Sequence, residues 1–354
     1  SLITSLGVLE GAVRIARGRI AAIRSCPPRG ANVVDARGLY VAPGFIDVHV
    51  WGDPRVVAHE AVRDGTTAFL TTLGPASAKQ LLREVAERGG MRAEDGAECL
   101  GLHLEGPFLN PARGGVLPRR EMRAPTVREL QRLHRAAMGR VRLITLAPEL
   151  PGAQEAIRWC RRHRIAVSLG HSDAGANAAQ RAVDAGASAV THVFNGMRPF
   201  HHRQPALLDV ALTDPRLTAM VIADGVHVSP SALRLLLRAK GAAGIALVTD
   251  AVRSQAKAWK LQRRGGAYYD ARGVLAGSCL TMMEAVRNMV RLGGASLEEA
   301  VRMASEIPAR LLGLSRERGV LDVGHRADLV AFDRAFRVHF TIVAGQVVYQ
   351  RGSS

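Results

Sequence analysis

The 354-residue sequence is poor in aromatics, at 4%, and holds four cysteines and four lysines. With so few aromatic rings there is no stacking platform for nucleic-acid bases, although the formal net charge is +17. That charge is nearly all arginine spread along helix-like segments, without a basic tail, which reads as solvated helix faces; an anionic substrate is the other reading. No specific nucleic-acid partner is expected, only weak, salt-sensitive association. Cys26, Cys99, Cys160 and Cys279 lie far apart and form no C-x-x-C pair, which excludes a zinc knuckle and a disulfide framework. Reduced core thiols imply a cytoplasmic protein. No basic-then-apolar leader is visible and no apolar run approaches the roughly 20 residues of a membrane span, so no membrane association is expected.

What is present is ample core material, 47% hydrophobic residues, enough for one large domain and a smaller appendage. Residues 1–40 alternate apolar and polar positions between glycines, and 328–332 and 340–349 do the same, the pattern of strands with one wet face. The two termini are therefore expected to form one small β-sandwich domain, residues 1–40 with 318–354, around a main body of residues 41–317.

In the main body, strand-like runs fall at 40–50, 66–73, 99–105, 141–148, 165–171, 187–195, 218–225 and 245–251. Helix-like segments follow most of them, at 77–88, 126–137, 152–162, 175–185, 229–240 and 280–292. Eight buried strands alternating with helices read as an α/β fold, a (β/α)8 TIM-type barrel whose working residues sit at the carboxyl ends of the strands. A doubly wound open sheet explains less, because polar strand ends would then gather at one crevice rather than around a ring.

Glu105, His171, His192, Asp224 and Asp250 each close or follow a strand-like run. A polar side chain at the end of a buried strand is costly unless it is paired or bound to metal. Glu105, His171 and His192 make a carboxylate–imidazole set suited to one open zinc site. Asp250, at the end of the eighth run, can take a proton from an activated water and pass it to a leaving nitrogen; a helix N-cap is its alternative role.

The stretch Pro43-Gly44-Phe45-Ile46-Asp47-Val48-His49 resembles the opening motif of the amidohydrolase superfamily. Leu102-His103-Leu104-Glu105-Gly106-Pro107-Phe108, Leu169-Gly170-His171-Ser172, Thr191-His192-Val193-Phe194-Asn195-Gly196-Met197, Asp224-Gly225-Val226-His227 and Thr249-Asp250-Ala251 are similar to motifs of the N-acetylglucosamine-6-phosphate deacetylases, in unbroken order over roughly residues 40–330. The resemblance implies a metal-dependent hydrolase that removes the acetyl group of N-acetylglucosamine 6-phosphate. It implies a divalent ion, zinc or else Fe, Mn or Co, on Glu105, His171 and His192, with Asp250 as general base and then acid. It further implies His227 as a catalytic residue that touches the substrate and polarises the carbonyl, Asn195 and Gly196 near the phosphate, Arg203 as the phosphate-binding arginine, and a homodimer. Neighbouring families bridge two metals with a carboxylated lysine, but none of Lys79, Lys240, Lys257 and Lys260 closes a third or fourth strand.

Two departures stand out. The superfamily's His-x-His is here His49-Val50-Trp51; indole cannot ligate a metal, so one ion is expected, with His49 a partial ligand and the second position without its full set. The stretch Arg113-Gly114-Gly115-Val116-Leu117-Pro118 carries Leu117 where the family has a histidine that meets the sugar, which opens the alternative of a different N-acyl or cyclic amide substrate. His201 and His202 could compensate. A non-catalytic barrel used as a binding module is the remaining alternative.

Overall fold

The computed structural model describes residues 1–4, 7–26, 33–91 and 95–352. Its main body is the expected barrel. Phe45–Trp51, Thr66–Leu73, Glu98–Glu105, Val141–Leu146, Ala166–Leu169, Ala189–Val190, Thr218–Val221 and Ile245–Leu247 form successive parallel neighbours. These strands are buried along nearly their whole length, as a sheet covered on both faces requires.

Three strand expectations need correction. The run 40–50 is two strands: Tyr40–Pro43 belongs to the terminal sheet and Phe45–Trp51 to the barrel. Gly44 makes the passage, because a Cβ there would lie 2.2 Å from Cγ2 of Thr67. The sixth strand stops at Val190 instead of reaching 195. His192 and Phe194 take left-handed φ values of 29° and 79°, so the chain turns where an extended strand was expected.

The eighth strand breaks in two. Ile245–Leu247 pairs with Thr218–Val221, and Ala251–Val252 pairs with Phe45–Trp51. The same segment thus touches the seventh and first strands and closes the ring, and Asp250, at φ 49°, sits at the change of partner. Past the seam, the hairpin of Gln262–Arg264 and Ala267–Tyr269 extends Leu275–Ser278.

The helices begin at local caps. Ser77, Thr126 and Ser229 accept from the backbone of Gln80, Glu129 and Ala232 at the starts of Ala78–Gly90, Val127–Ala136 and Pro230–Lys240, each satisfying a donor left free by helix geometry. The expected helix 280–292 starts at a Thr281–Glu284 capping box and runs as Met282–Asn288, then loosens to a π turn over Met289–Gly293.

The terminal segments form a separate small β unit. A six-stranded sheet runs in the order Gly7–Leu9, Leu2–Thr4, Tyr40–Pro43, Leu329–Phe332, Val338–Val343, Gln346–Gln350. The hairpin of Ala12–Ala16 and Arg19–Arg24 packs on it through Leu2, Ile20, Val41, Leu329, Phe340 and Ile342. Among the described residues no helix is long and apolar enough to cross a membrane.

Candidate active site

Glu105 closes the third barrel strand and is buried, at 3% exposure. Its Oε1 lies 3.0 Å from Nε2 of His171 and 2.9 Å from Nε2 of His192, and its Oε2 lies 3.2 Å from Nε2 of His49. His49 reaches on to Oδ1 of Asp250 at 3.3 Å. Side chains 49, 105, 171, 192 and 250 therefore meet at the carboxyl ends of the strands. His171 (φ 48°), His192 and Asp250 all hold left-handed backbone, a conformation that costs non-glycine residues about 1–3 kcal/mol and gathers at functional sites.

The imidazoles are aimed by their far sides. His171 Nδ1 lies 2.9 Å from the carbonyl oxygen of Arg113, and His192 Nδ1 lies 3.2 Å from that of Asn195; each carbonyl can only accept, so each Nδ1 donates. In a neutral ring this leaves the lone pair on Nε2. The two Nε2 atoms are 3.1 Å apart and both face Glu105. Lone pairs converging on a buried carboxylate that no lysine or arginine neutralises among the described residues are a donor set built for a cation. Glu105, His171 and His192 could hold one, and so could His49, Glu105 and Asp250; one carboxylate with two imidazoles fits zinc.

Electrostatics follow the same geometry. Burial opposes the ionised carboxylate of Glu105, but His49 and the other imidazoles hold it well below the usual carboxylate range. Burial likewise opposes charge on His49, and Glu105 and Asp250 overcome it, raising its pKa to about 9. Asp47, fully enclosed, is pushed up to about 6.

Asn195 and Gly196 lie over these rings: Gly196 accepts from Ser172 N at 3.0 Å, and a Cβ on it would sit 3.1 Å from Nδ1 of His171. His227 is bonded through Nδ1 to Oδ2 of Asp224 at 2.6 Å, and Asp224 Oδ1 accepts from the amides of Val226 and His227. Arg203 is exposed, with no side-chain partner among the described residues, and no contact brings it to the Glu105 cluster.

Several residues escaped the sequence reading. Trp51 fills a role beyond a missing ligand: its Nε1 donates to Oδ1 of Asp250 at 2.8 Å. Asp47 accepts from the amides of His49 and Thr249 and from Thr249 Oγ1, tying the first strand to the eighth. Glu149 accepts from Asn110 Nδ2, Ser172 Oγ and Asp173 N, bracing the loop that carries His171. Asp173, in that loop, pairs with Arg113 and Arg198 at 2.8 Å each. Thr145, Ser168 and Thr191, polar within apolar strands, were the available signal: they bond to one another, and Thr145 to His103.

Residues 40–348 match the amidohydrolase family model. The chain is 35% identical over 356 residues to the N-acetylglucosamine-6-phosphate deacetylase of Lysinibacillus sphaericus, covering 94% of this chain and 92% of that one. It is 36% identical over 370 residues to the N-acetylgalactosamine-6-phosphate deacetylase of Escherichia coli, covering 98% and 97%. Among solved structures it is similar to a mutant N-acetyl-D-glucosamine-6-phosphate deacetylase from Mycobacterium smegmatis in complex with N-acetyl-D-glucosamine-6-phosphate, with TM-score 0.85, 32% identity, and 96% and 94% coverage. A family model spanning most of the chain, relatives matching over more than nine-tenths of their length and a cluster of carboxylate and imidazole at the barrel mouth lead to one assignment: the chain belongs to the amidohydrolase family, hydrolases of carbon–nitrogen bonds, among its amino-sugar-phosphate deacetylases.

Proposed function

We propose that the protein hydrolyses the acetamide of N-acetylglucosamine 6-phosphate, giving glucosamine 6-phosphate and acetate. The observation that carries this reading is the convergence of His171, His192 and His49 on one buried carboxylate, with Asp250 3.3 Å from the third imidazole. Glu105, His171 and His192 would hold one divalent ion, zinc by donor type, with His49 the neighbouring imidazole on Glu105. A divalent ion held there supplies a Lewis acid to the amide and its attacking water.

The residues do the rest. Asp250 takes the proton of the attacking water on Oδ2 and returns it to the leaving nitrogen as the C–N bond breaks. His227, bonded through Nδ1–H to Asp224, which favours the doubly protonated ring, donates its Nε2–H to the acetamide carbonyl. The backbone around Asn195 and Gly196 and the guanidinium of Arg203 take the phosphate, for which a planar fork is suited. The free, exposed Arg203 fits a homodimer in which a phosphate is shared across copies. The unpaired cysteines fit a cytoplasmic protein, and the sheet partition supports a catalytic barrel beside a β-domain of both terminal segments, with the first boundary at Gly44 rather than between 40 and 41, because Tyr40–Pro43 pairs in the terminal sheet.

Acetate release by zinc-loaded protein tests this across N-acetylglucosamine 6-phosphate, its galactosamine epimer, unphosphorylated N-acetylglucosamine, N-acyl amino acids and cyclic amides. The expected result is a preference for phosphorylated sugar of at least about tenfold in kcat/KM, about 1.4 kcal/mol, largely lost in Arg203→Ala. Better turnover of an N-acyl amino acid or a cyclic amide overturns the sugar-phosphate reading. The epimer is a second reading in its own right, because the relative from Escherichia coli named for it is as similar as the others.

A further inference from the structure

Asp250 must present one carboxylate oxygen to the reacting water and be held by the other. Its Oδ1 receives the indole N–H of Trp51 at 2.8 Å and faces His49 Nε2 at 3.3 Å. Its Oδ2 has no partner among the described residues. We propose that Trp51 is the positioning residue of the proton-transfer step: its N–H pins Oδ1 and so turns Oδ2 toward the water and the leaving nitrogen. This rests on Asp250 being the proton carrier.

The indole is fixed for that task. Its backbone lies in the seam ladder, where Arg253 N donates to Trp51 O at 2.9 Å and Val252 is its register partner. The ring is buried, with Trp259 against it edge to face at 5.3 Å. A Cβ on Gly74 would lie 3.0 Å from its Cη2 and 3.5 Å from Cδ2 of Leu117. The two departures from the family pattern, Trp51 and Leu117, therefore flank the same glycine and build one apolar wall beside Asp250. A part-buried hydrogen bond, made by a ring held between Trp259 and Gly74, sets a carboxylate's direction without adding charge. The same N–H occupies the Asp250 oxygen that belongs to the second candidate cation set, His49, Glu105 and Asp250, and leaves Oδ2 for proton transfer.

Three variants at the same position, zinc-loaded, test the proposal. Trp51→Phe keeps the ring and loses the donor; Trp51→Gln and Trp51→Met have similar reach, and only Gln donates. The expected result is a kcat lower by about 10- to 100-fold in the Phe and Met variants, the scale of losing an orienting partner, with KM within about threefold and zinc per chain equal to the parent's. Gln is expected to recover at least about tenfold over Met. A Phe variant with the parent's kcat, a loss carried by KM or by lost zinc, or equal kcat in Gln and Met overturns the proposal. Should the Phe variant not fold, the Gln–Met comparison decides alone. The assays use whichever N-acyl amide the parent hydrolyses, so a change of substrate overturns the sugar-phosphate reading and leaves this one standing; a parent that hydrolyses none overturns both.

Discussion

His227 Nδ1 lies 2.6 Å from Asp224 Oδ2, with both side chains 5% exposed. Burial lowers the histidine's pKa, but the carboxylate outweighs it and the net shift is upward; burial raises Asp224, and the histidine outweighs that too, for a net fall. The histidine's share of stability is full below its unfolded value near 6.5 and is lost as pH rises through the raised one. The aspartate's share is present above about 3.9 and is lost as pH falls through the lowered one. Asp224→Asn should therefore cost most between about pH 4 and 6.5, roughly 2 kcal/mol, and less on either side. Thermal unfolding from acid to alkaline pH checks it, and a gap of constant size would contradict it.

Stripping divalent ions should abolish acetate release and lower the melting temperature, and zinc should restore both. At about 100-fold above its Kd the ion stabilises by about 2.7 kcal/mol. Glu105→Gln should hold at least about tenfold less zinc, because it removes the carboxylate that all three imidazoles face. Elemental analysis of dialysed protein measures this directly.

Asp250→Asn should lower kcat by about 10²- to 10⁴-fold, the usual worth of a positioned acid–base group. Zinc content should stay at the parent's level, since Glu105, His171 and His192 are untouched. Loss of zinc together with activity would make Asp250 a ligand instead.

Gly44→Ala should destabilise by about 2–3 kcal/mol. The added methyl would meet three atoms of the Thr67 side chain, Cγ2, Oγ1 and Cβ, at 2.2, 2.3 and 2.8 Å, and that β-branched residue is set in the second barrel strand. Chemical denaturation reads the cost, and a change below about 0.5 kcal/mol would mean the two units part more easily than the contact implies.

What the sequence discloses is what short-range chemistry governs. The expected helix 126–137 is observed as Val127–Ala136 because Thr126 caps it and Leu130 and Leu133 face inward. Glu105, His171 and His192 were legible as candidates because each is an ionisable or ligating group at or near the end of a strand-like apolar run. The sixth strand misled, since Val193 and Phe194 continue the apolar run while the backbone has already turned. The split of the eighth strand is a change of hydrogen-bonding partner, to which periodicity is blind. Trp51 could be read as unable to ligate, but its partner is 199 residues away. The hairpin around Gly265 and Gly266 had its turn signal in plain view.

Because the ring is sealed by Ile245–Leu247 on one side and Ala251–Val252 on the other, Asp250 is a rivet as well as the proposed proton carrier. Breathing at that joint would disarm proton transfer while the carboxylate and imidazoles of the third, fifth and sixth staves kept their grip on a cation. Heat or denaturant should therefore yield, before global collapse, a species that is still loaded with metal and already silent.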